Sequence, residues 1–326
     1  MPPYKDDPRR RLLTRDPNNP CLTAFEWPYF VNTVFNAGVT RLANGETLLL
    51  CRVEDCSGLS HLCAARSADG VTNWKIDPKP TMEPDLENHP EELWGIEDPR
   101  IVWLGELESY AVIYTCFSQN GPGVSLALTK DFKTFDRIGN IMPPEDKDAA
   151  LLPRRIDGRW VMIHRPMPGT GQGNIWMSFS PDLRHWGDHK VVLNARLGGW
   201  WDAKKIGLSP PLIETADGWL MMYHGVRMTV GGCIYRLGLA LFDLDDPTKC
   251  ICRGNKWIFG PETDYERTGD VGDVVFPCGY TIDEDGDGLN LYYGAADTSI
   301  ALATGSIRAM LAWLKNNSSP ADFGTH

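Results

Sequence analysis

ThrLeuLeuLeuCysArgValGluAsp, at residues 47–55, is an apolar run that ends in charged residues, and it follows a Gly-centred turn at Asn44-Gly45. The chain repeats this arrangement four more times. The later turns stand at Gly105, Asp157-Gly158, Asp217-Gly218 and Asp287-Gly288, and the runs after them cover residues 110–116, 159–165, 219–225 and 289–297. Self-similarity at a period of about 50–70 residues indicates a propeller or an array. Five antiparallel units in 326 residues predict an all-β fold, a five-bladed β-propeller.

A second repeated element predicts the outer strands of the blades. It is a short strand, an Asp-containing turn and a large ring, at residues 65–74, 127–135, 178–186 and 240–248. The fifth unit lacks it, and residues 306–315 predict instead a short amphipathic C-terminal helix with Ser306 as its N-cap. The chain therefore divides into an N-terminal arm at 1–30, a single propeller domain at 31–315 and a tail at 316–326.

The composition limits the partners and the compartment. Lys and Arg number 32 and Asp and Glu 43, a net charge of −11, which argues against nucleic acid or an anionic membrane as a partner. The nine cysteines form no Cys-x-x-Cys pair, and several lie in apolar runs, which predicts buried free thiols in a reducing compartment. The chain start has no signal-peptide core, and no run approaches about 18 apolar residues. We therefore expect a cytoplasmic protein, and the arm leaves a homo-oligomer open.

One end of the predicted propeller gathers polar side chains. A hairpin turn lies at one end of its strand pair, so the start of the first strand and the end of the second meet at the other end, the mouth. We expect first strands to begin at 35–38, 97–100, 152–155, 209–212 and 276–279. Convergent polar groups on a rigid scaffold are the usual sign of an active site. The polar residues of the mouth are Asn36, Arg52, Glu54, Asp55, Glu97, Asp98, Arg100, Arg154, His164, Arg165, Lys204, Lys205, His224 and Asp297.

The mouth has an acidic side and a basic side. Its carboxylates come from the first, second and fifth units, and its cations mostly from the third and fourth. Carboxylates accept hydrogen bonds from sugar hydroxyls, and Arg binds phosphate oxygens bidentately. This division suits a polyhydroxylated substrate next to an anion.

Six motifs occur in order: ArgValGluAsp, GlyIleGluAspProArg, HisArgPro, TrpTrpAspAlaLysLysIleGlyLeuSerProPro, TyrHisGlyVal and TyrTyrGlyAlaAlaAspThr. Together they resemble the β-mannoside phosphorylases of glycoside hydrolase family 130, from about residue 30 to about residue 312. Each motif alone is weakly specific, whereas six in order on a five-bladed pattern are strongly specific.

The resemblance implies a glycosyltransferase of the phosphorylase type. Phosphate would cleave a β-mannoside with inversion and reversibly, to give α-mannose 1-phosphate and a shortened sugar. The resemblance implies Asp98 as the single catalytic acid. It implies phosphate ligands at Arg165, Lys205, His224 and Tyr235, with Arg154 a further candidate, and mannose contacts from Asn36, Arg52, Asp55 and Asp297. Phosphate is a co-substrate, and we expect no metal or other cofactor.

The residue types agree with phosphorolysis. An inverting hydrolase needs an acid and a separate base that activates water. Phosphate is already anionic, so it needs positive charge on the face opposite the leaving group rather than a base. One acid with an Arg, Lys and His cluster therefore favours a phosphorylase over a β-mannosidase or a non-catalytic sugar-binding propeller. The motifs look more like those of β-1,2-mannobiose and β-1,2-oligomannoside phosphorylases than those of β-1,4-mannosyl-glucose phosphorylases, and a β-1,4-mannooligosaccharide or mannosyl-GlcNAc substrate stays an alternative.

Some assignments stay open at this level. Neighbouring strand residues face opposite ways, so Arg154 competes with Arg155, and Lys204 with Lys205, where the motif favours Lys205. His224 also fits a core histidine, and Asp-Pro at 98–99 also fits a turn. Residues 283–288 imitate half a calcium loop but are interpreted as a hairpin turn, and 169–174 lack the helix that a nucleotide loop needs.

Overall fold

The computed structural model describes residues 12–167, 169 and 172–320. Residues 1–11 of the predicted arm and 321–326 of the predicted tail lie outside the described residues. Five antiparallel sheets form the blades of a propeller, and a short helix follows the fifth. The predicted fold class is confirmed.

The strands follow the predicted order along the chain. β1 (Leu13–Arg15) comes first. The first blade contains β2 (Thr33–Arg41), β3 (Thr47–Glu54), β4 (Ser60–Ser67) and β5 (Lys75–Ile76). The second contains β6 (Ile96–Leu104), β7 (Ser109–Ser118), β8 (Gly121–Thr129) and β9 (Asp136–Met142). The third contains β10 (Asp146–Leu151), β11 (Trp160–Pro166), β12 (Ile175–Ser180) and β13 (Gly187–Leu193).

The last two blades recruit the ends of the described chain. The fourth contains β14 (Lys205–Leu208), β15 (Ile213–Thr215), β16 (Gly218–Thr229), β17 (Gly232–Phe242) and β18 (Cys250–Gly254). Helix α1 (Asp264–Arg267) precedes the fifth blade, which contains β19 (Val275–Ile282), β20 (Gly288–Ala295) and β21 (Ser299–Ser306). Helix α2 (Ile307–Asn317) leads to β22 (Ser318–Pro320), which pairs with β18.

The fifth blade takes its outer strand from the N-terminal segment. β1 pairs antiparallel with β21, and Arg15 lies opposite Ala303. This pairing explains why the fifth unit lacks the outer element that the other four repeat. Helix α2 begins after the predicted cap Ser306, whose Oγ accepts a hydrogen bond from the Ala309 N–H at 3.1 Å. Within the described ranges, no helix is long and apolar enough to cross a membrane.

The turns between the outer strands are built alike in four blades. In each, one Asp carboxylate oxygen accepts two backbone N–H bonds from the residues that follow it, an arrangement that fixes a tight turn. The four residues are Asp69, Asp131, Asp182 and Asp243. Asp285 does the same for the N–H groups of Asp287 and Gly288, which confirms that residues 283–288 are a hairpin turn.

The core lies between the blades. In β3, Leu48 and Leu50 contact a cluster that includes Tyr114 of the second blade. Leu49 and Cys51 lie on the other face of β3, in the cluster shared with the fifth blade. A strand buried on both faces is apolar at successive positions rather than alternating, which explains the run at 47–51. All nine cysteines are free, and five of them are buried.

Three innermost strands share a β-bulge near the mouth. The register shifts between Phe35 and Gly38 in β2, Glu97 and Arg100 in β6, and Lys147 and Ala150 in β10. One bulge residue in each strand has a left-handed backbone, with φ values of 45° at Asn36, 49° at Asp98 and 56° at Asp148. Bulges re-aim side chains, and the side chains of these three residues line one central cavity.

Two predicted strand starts are wrong. The third innermost strand runs over Asp146–Leu151, so residues 152–155 lie between its end and the turn at 157–158. The fourth begins at Lys205 and is interrupted before β15. Alignment on the turns alone missed both, because the number of residues between the mouth and the turn differs among blades.

An ion pair fastens β1 to helix α1, which precedes the fifth blade. Arg15 Nε and Nη2 lie 2.7 and 2.9 Å from the Glu266 carboxylate oxygens, and Arg15 Nη2 also donates to the Gly260 carbonyl. Glu266 is fully buried and also accepts a hydrogen bond from the Tyr293 hydroxyl at 2.8 Å.

Arg15→Ala should lower the free energy of unfolding by about 3–5 kcal/mol, because it leaves the Glu266 carboxylate buried without its partner. Arg154→Ala is the matched control: it breaks a pair with Glu214 whose side chains are 45% and 41% exposed, and should cost less than about 1 kcal/mol. Urea unfolding measures both. Equal losses in the two variants would contradict this account of how β1 is held.

Candidate active site

The mouth holds a polar cavity of about 140 Å³, to which all five blades contribute. Its lining includes eight of the ten residues to which the sequence assigned roles: Asn36, Arg52, Asp98, Arg165, Lys205, His224, Tyr235 and Asp297. The others that line it are Lys147, Asp148, Val271, Val274 and Phe276.

Asp98 is held from one side. Its Oδ1 accepts hydrogen bonds from Asn36 Nδ2 at 2.9 Å and Arg52 Nη1 at 3.2 Å. No donor from the described part of the chain contacts its Oδ2, so that oxygen is left for a substrate. Burial raises the pKa of Asp98, but the charges of Arg52, Lys147 and Arg100 outweigh it and hold the pKa below its usual range. Asp98 is therefore ionised near neutral pH.

Arg52 is fixed by a ring of partners. Its Nη2 lies 3.1 Å from Glu54 Oε2 and 3.2 Å from Glu97 Oε1, and its Nε donates to Ser60 Oγ at 2.9 Å. Its guanidinium carbon lies 4.6 Å from the centre of the Phe35 ring. A guanidinium held this way keeps Asp98 in one orientation at little further entropy cost.

The second carboxylate of the acidic side, Asp297, favours the protonated form, whereas Asp98 favours the ionised form. Burial raises the pKa of Asp297 to about 7, and the negative charge of Asp98 acts in the same direction. Glu54 and Glu97 add to the effect, while Arg52 opposes it. Near neutral pH the proton of the acidic side therefore rests on Asp297. Two carboxylates with pKa values pushed apart are typical of acid chemistry.

The basic side is organised around Arg165. Its Nε donates to Asp148 Oδ2 at 2.7 Å, and both groups are buried. Within the described ranges no acceptor contacts Nη1 or Nη2, so these two nitrogens are free to bind an anion. An Arg fork of this kind matches the geometry of phosphate.

Lys205 and His224 complete the basic side, and we call the cations Arg165 and Lys205, together with the neutral imidazole of His224 beside them, the cation cluster. Burial and, to a smaller extent, the nearby Arg165 charge lower the pKa of Lys205 to about 8. Burial also lowers the pKa of His224 to about 4, although Asp148 opposes this, so the imidazole is neutral at pH 7. His224 Nε2 is buried and lies 3.3 Å from Asp148 Oδ2, but it makes no aligned hydrogen bond with the described residues.

A family model described as Glyco_hydro_130, β-1,4-mannooligosaccharide phosphorylase, matches residues 9–316. The chain belongs to glycoside hydrolase family 130. The family predicted from the six motifs is confirmed.

The family 130 relatives differ in the linkage that their names carry. The β-1,2-mannobiose phosphorylase of Listeria innocua is 40% identical over 246 residues, which cover 75% of this chain and 66% of that protein. The β-1,4-mannooligosaccharide phosphorylase of Ruminococcus albus is 33% identical over 327 residues, 97% of this chain and 96% of that protein. A solved structure of the Listeria β-1,2-mannobiose phosphorylase with β-1,2-mannobiose has a TM-score of 0.85 and 33% identity, over 94% of this chain and 99% of that one.

Arg154, a candidate phosphate ligand, does not line the cavity. β10 ends three residues before it, so Arg154 lies near the turn at 157–158, at the far end of its blade. There it pairs with Glu214 at 2.7 Å and lies over the Trp219 ring. Arg155 pairs with Glu106, so neither arginine lines the cavity.

Asp55 also lies outside the cavity lining. It follows the last residue of β3, and its Oδ1 accepts hydrogen bonds from the N–H groups of Ser57 and Leu59 at 2.7 and 3.0 Å. Its position just past the strand makes it a turn residue, so the structure does not bring Asp55, the expected mannose contact, to the cavity lining.

Strand alternation decides between Lys204 and Lys205 and also separates His164 from Arg165. Lys204 is exposed and Lys205 lines the cavity, as the motif favoured. His164 faces away from its neighbour Arg165 and contacts Asp146 Oδ2 and Ser178 Oγ, each at 2.6 Å.

Lys147 and Asp148 line the cavity but were missed at the sequence level. A signal for Asp148 exists: AsnAla at 36–37, AspPro at 98–99 and AspAla at 148–149 precede their turns by eight, seven and nine residues. Arg154 precedes its turn by only three residues. Alignment on this Asn or Asp residue would have placed Asp148 beside Asn36 and Asp98.

Asp297→Asn should change the pH dependence of stability. The folded protein holds the Asp297 proton up to about pH 7, whereas the unfolded chain releases it near pH 4, so the wild type loses stability as pH rises between these values. The Asn variant lacks this loss. Relative to wild type, it should gain about 2–4 kcal/mol between about pH 4 and pH 8. Urea unfolding across this range tests it, and a difference that does not vary with pH would contradict the raised pKa.

Proposed function

We propose that this family 130 protein cleaves β-mannosides by inverting phosphorolysis. A phosphate oxygen attacks the anomeric carbon, the bond from that carbon to the leaving sugar oxygen breaks, and a proton goes to the leaving oxygen. The products are α-mannose 1-phosphate and a shortened sugar. The observation that carries the proposal is the placement of the cation cluster and the Asp98–Asp297 pair in one cavity of about 140 Å³.

The cation cluster supplies what phosphate needs. The free Nη1 and Nη2 of Arg165 form a fork for two phosphate oxygens, and the Lys205 amine adds positive charge at neutral pH. The unpartnered Nε2 of His224 is available as a further contact. The Tyr235 ring, whose centre lies 5.7 Å from that of His224, also lines the cavity on this side. Because the site is buried, these interactions are stronger than they would be in water.

Asp98 is the proposed proton donor, through its free Oδ2. It is ionised before phosphate binds, but an arriving phosphate adds negative charge and displaces water, and both effects raise the pKa of a carboxyl group. Asp297 holds the proton of the acidic side before substrate binds. Together with Asn36 and Arg52, it is placed to contact hydroxyls of the reacting mannose.

The preferred linkage in this proposal is β-1,2, in mannobiose or short oligomannosides. The 40% identity to a β-1,2-mannobiose phosphorylase supports it. A β-1,4 substrate is the second candidate, because the β-1,4-mannooligosaccharide phosphorylase matches almost the whole chain. A reverse-direction screen decides: α-mannose 1-phosphate is supplied with mannose, glucose, N-acetylglucosamine or mannobiose, and the linkage of the product is determined.

Cleavage of β-1,2-mannobiose should require inorganic phosphate. With phosphate, each bond cleaved should give one mannose 1-phosphate and one mannose, and without phosphate the rate should fall to background. Chromatography of the products measures this. Equal rates with and without phosphate, with mannose as the sole product, would identify a β-mannosidase instead.

Arg165→Ala should raise the KM for phosphate on the order of 10- to 100-fold, because it removes charge-assisted hydrogen bonds worth about 1.5–3 kcal/mol. Arg154→Ala should leave this KM unchanged, since Arg154 lies at the far end of the blade. Initial rates over a range of phosphate concentrations test both. A larger effect from Arg154 than from Arg165 would show that the phosphate site is misplaced.

Asp98→Asn should lower kcat by about 10²- to 10⁴-fold, the usual contribution of a general acid. Folding should be preserved, because the amide can still accept the hydrogen bonds from Asn36 and Arg52 through its oxygen. If Asp297→Asn abolishes turnover while Asp98→Asn does not, Asp297 is the donor.

A further inference from the structure

We propose that Asp148 is a positioning residue for phosphate, which aims the Arg165 fork into the cavity and maintains the charge of Lys205. This inference rests on the proposed phosphorolysis and extends it to a residue that no family motif quoted above contains. A carboxylate inside an anion site is unexpected, because like charges repel. The arrangement around Asp148 accounts for its presence.

The Asp148 carboxylate contacts Arg165 of the cation cluster and lies close to Arg100. The side chain is 2% exposed, and its Oδ2 accepts the Arg165 Nε–H bond at 2.7 Å. Its Oδ1 lies 3.8 Å from Arg100 Nη2, on the other side. Burial raises the pKa of Asp148, yet the Arg165 guanidinium and the His224 and Arg100 side chains hold the pKa well below its usual range. Asp148 is therefore ionised, and binding Nε leaves both Nη atoms of Arg165 for phosphate.

A left-handed backbone conformation places the Asp148 side chain in the cavity. It occupies the same left-handed bulge in β10 that Asp98 occupies in β6. Such conformations cost about 1–3 kcal/mol and persist where the surroundings enforce them, often at functional sites. The facing strand makes room for the carboxylate: a Cβ on Gly207 would lie 2.3 Å from Asp148 Oδ2 and 2.6 Å from His224 Nε2.

The charge of Lys205 depends on the same carboxylate. Burial and the neighbouring Arg165 lower the pKa of Lys205 to about 8, and Asp148 opposes them. The groups that face the Lys205 amine are Arg165, Asp148, Lys147, Cys233 and the Tyr235 ring. Without Asp148, the amine would lose its proton at lower pH. The phosphate site would then have a disoriented guanidinium and a partly neutral lysine.

The Asp148→Asn variant tests whether Asp148 helps phosphate to bind, by positioning the cation cluster, or only repels phosphate with its negative charge. If the carboxylate only repelled phosphate, the variant would bind phosphate more tightly. Positioning predicts the reverse: the amide oxygen can still accept one hydrogen bond from Arg165, but the variant loses the negative charge that holds the guanidinium in place and keeps Lys205 protonated. The KM for phosphate should therefore rise by about 10- to 100-fold, as when the outer partner of a ligand side chain is lost, while the KM for the mannoside changes little. Isothermal titration of the variant with inorganic phosphate should show the same loss without turnover.

Asp146→Asn is the matched control. Asp146 lies two residues earlier on β10, is equally buried and contacts His164 at 2.6 Å, but it does not line the cavity. Its replacement should lower stability and leave the phosphate KM unchanged. A phosphate KM that is unchanged or lower in Asp148→Asn, or raised equally in both variants, would overturn the proposal.

The pH dependence of kcat/KM for phosphate is a further test, because a purely structural role of Asp148 would not shift it. In wild type, kcat/KM for phosphate should fall as pH rises through about 8, where Lys205 loses its proton. In Asp148→Asn this fall should occur at lower pH, whereas phosphate's own ionisation is the same for both proteins. An unshifted profile would contradict the link between Asp148 and Lys205.

Gly207→Ala keeps the proposal testable if Asp148→Asn does not fold. It retains the carboxylate but displaces it from its place beside His224, so the phosphate KM should again rise; no rise would count against the proposal. The wild type is assayed first for phosphate-dependent release of mannose 1-phosphate. Failure there would refute the proposed function, whereas a phosphate-dependent wild type with unaffected Asp148 variants would refute the positioning role alone.

Discussion

The site depends on one backbone constraint, the left-handed bulge that β2, β6 and β10 share. Side chains of a regular strand alternate between the two faces of its sheet, and in a propeller blade these faces are buried against the neighbouring blades. The bulge turns one residue out of this alternation, so Asn36, Asp98 and Asp148 reach the central cavity. Each such conformation costs about 1–3 kcal/mol. The apolar clusters between the blades offset this cost and hold the strands rigidly around the cavity.

Burial acts on both sides of the cavity and moves their charged groups toward neutrality. It raises the pKa of Asp297 to about 7 and lowers that of Lys205 to about 8. Local partners resist the same trend at Asp98 and Asp148, which stay ionised beside Arg52 and Arg165. The result is a small, partly desolvated cavity. On one side Asp297 holds a proton, and on the other side the positive charge of the cation cluster is only partly neutralised by Asp148. An anionic nucleophile and a sugar leaving group need these two features.

Much of the fold could be predicted because its signals are local. Gly-centred turns, apolar runs, Asp turns and the Ser306 cap each depend on neighbouring residues, and all are found where they were expected. The outer strand of the fifth blade could not be predicted, because LeuThrArg at 13–15 has no periodicity and its partner lies almost 300 residues later. Six of the eight predicted residues that line the cavity stand in the quoted motifs: Arg52, Asp98, Arg165, Lys205, His224 and Asp297. Asp148 was missed because the third strand was aligned on its turn, and Arg154 was misplaced for the same reason. The raised pKa of Asp297 arises from contacts between blades that no short motif records.

In the proposed mechanism, phosphate held by the cation cluster approaches the face of the mannose opposite the leaving oxygen. The most direct test is the anomeric configuration of the first product. β-1,2-Mannobiose and phosphate are mixed with enzyme, and the reaction is followed by ¹H and ³¹P NMR from its first minutes. The account predicts α-mannose 1-phosphate from the outset. Initial formation of the β anomer, or of mannose without any phosphate ester, would contradict it.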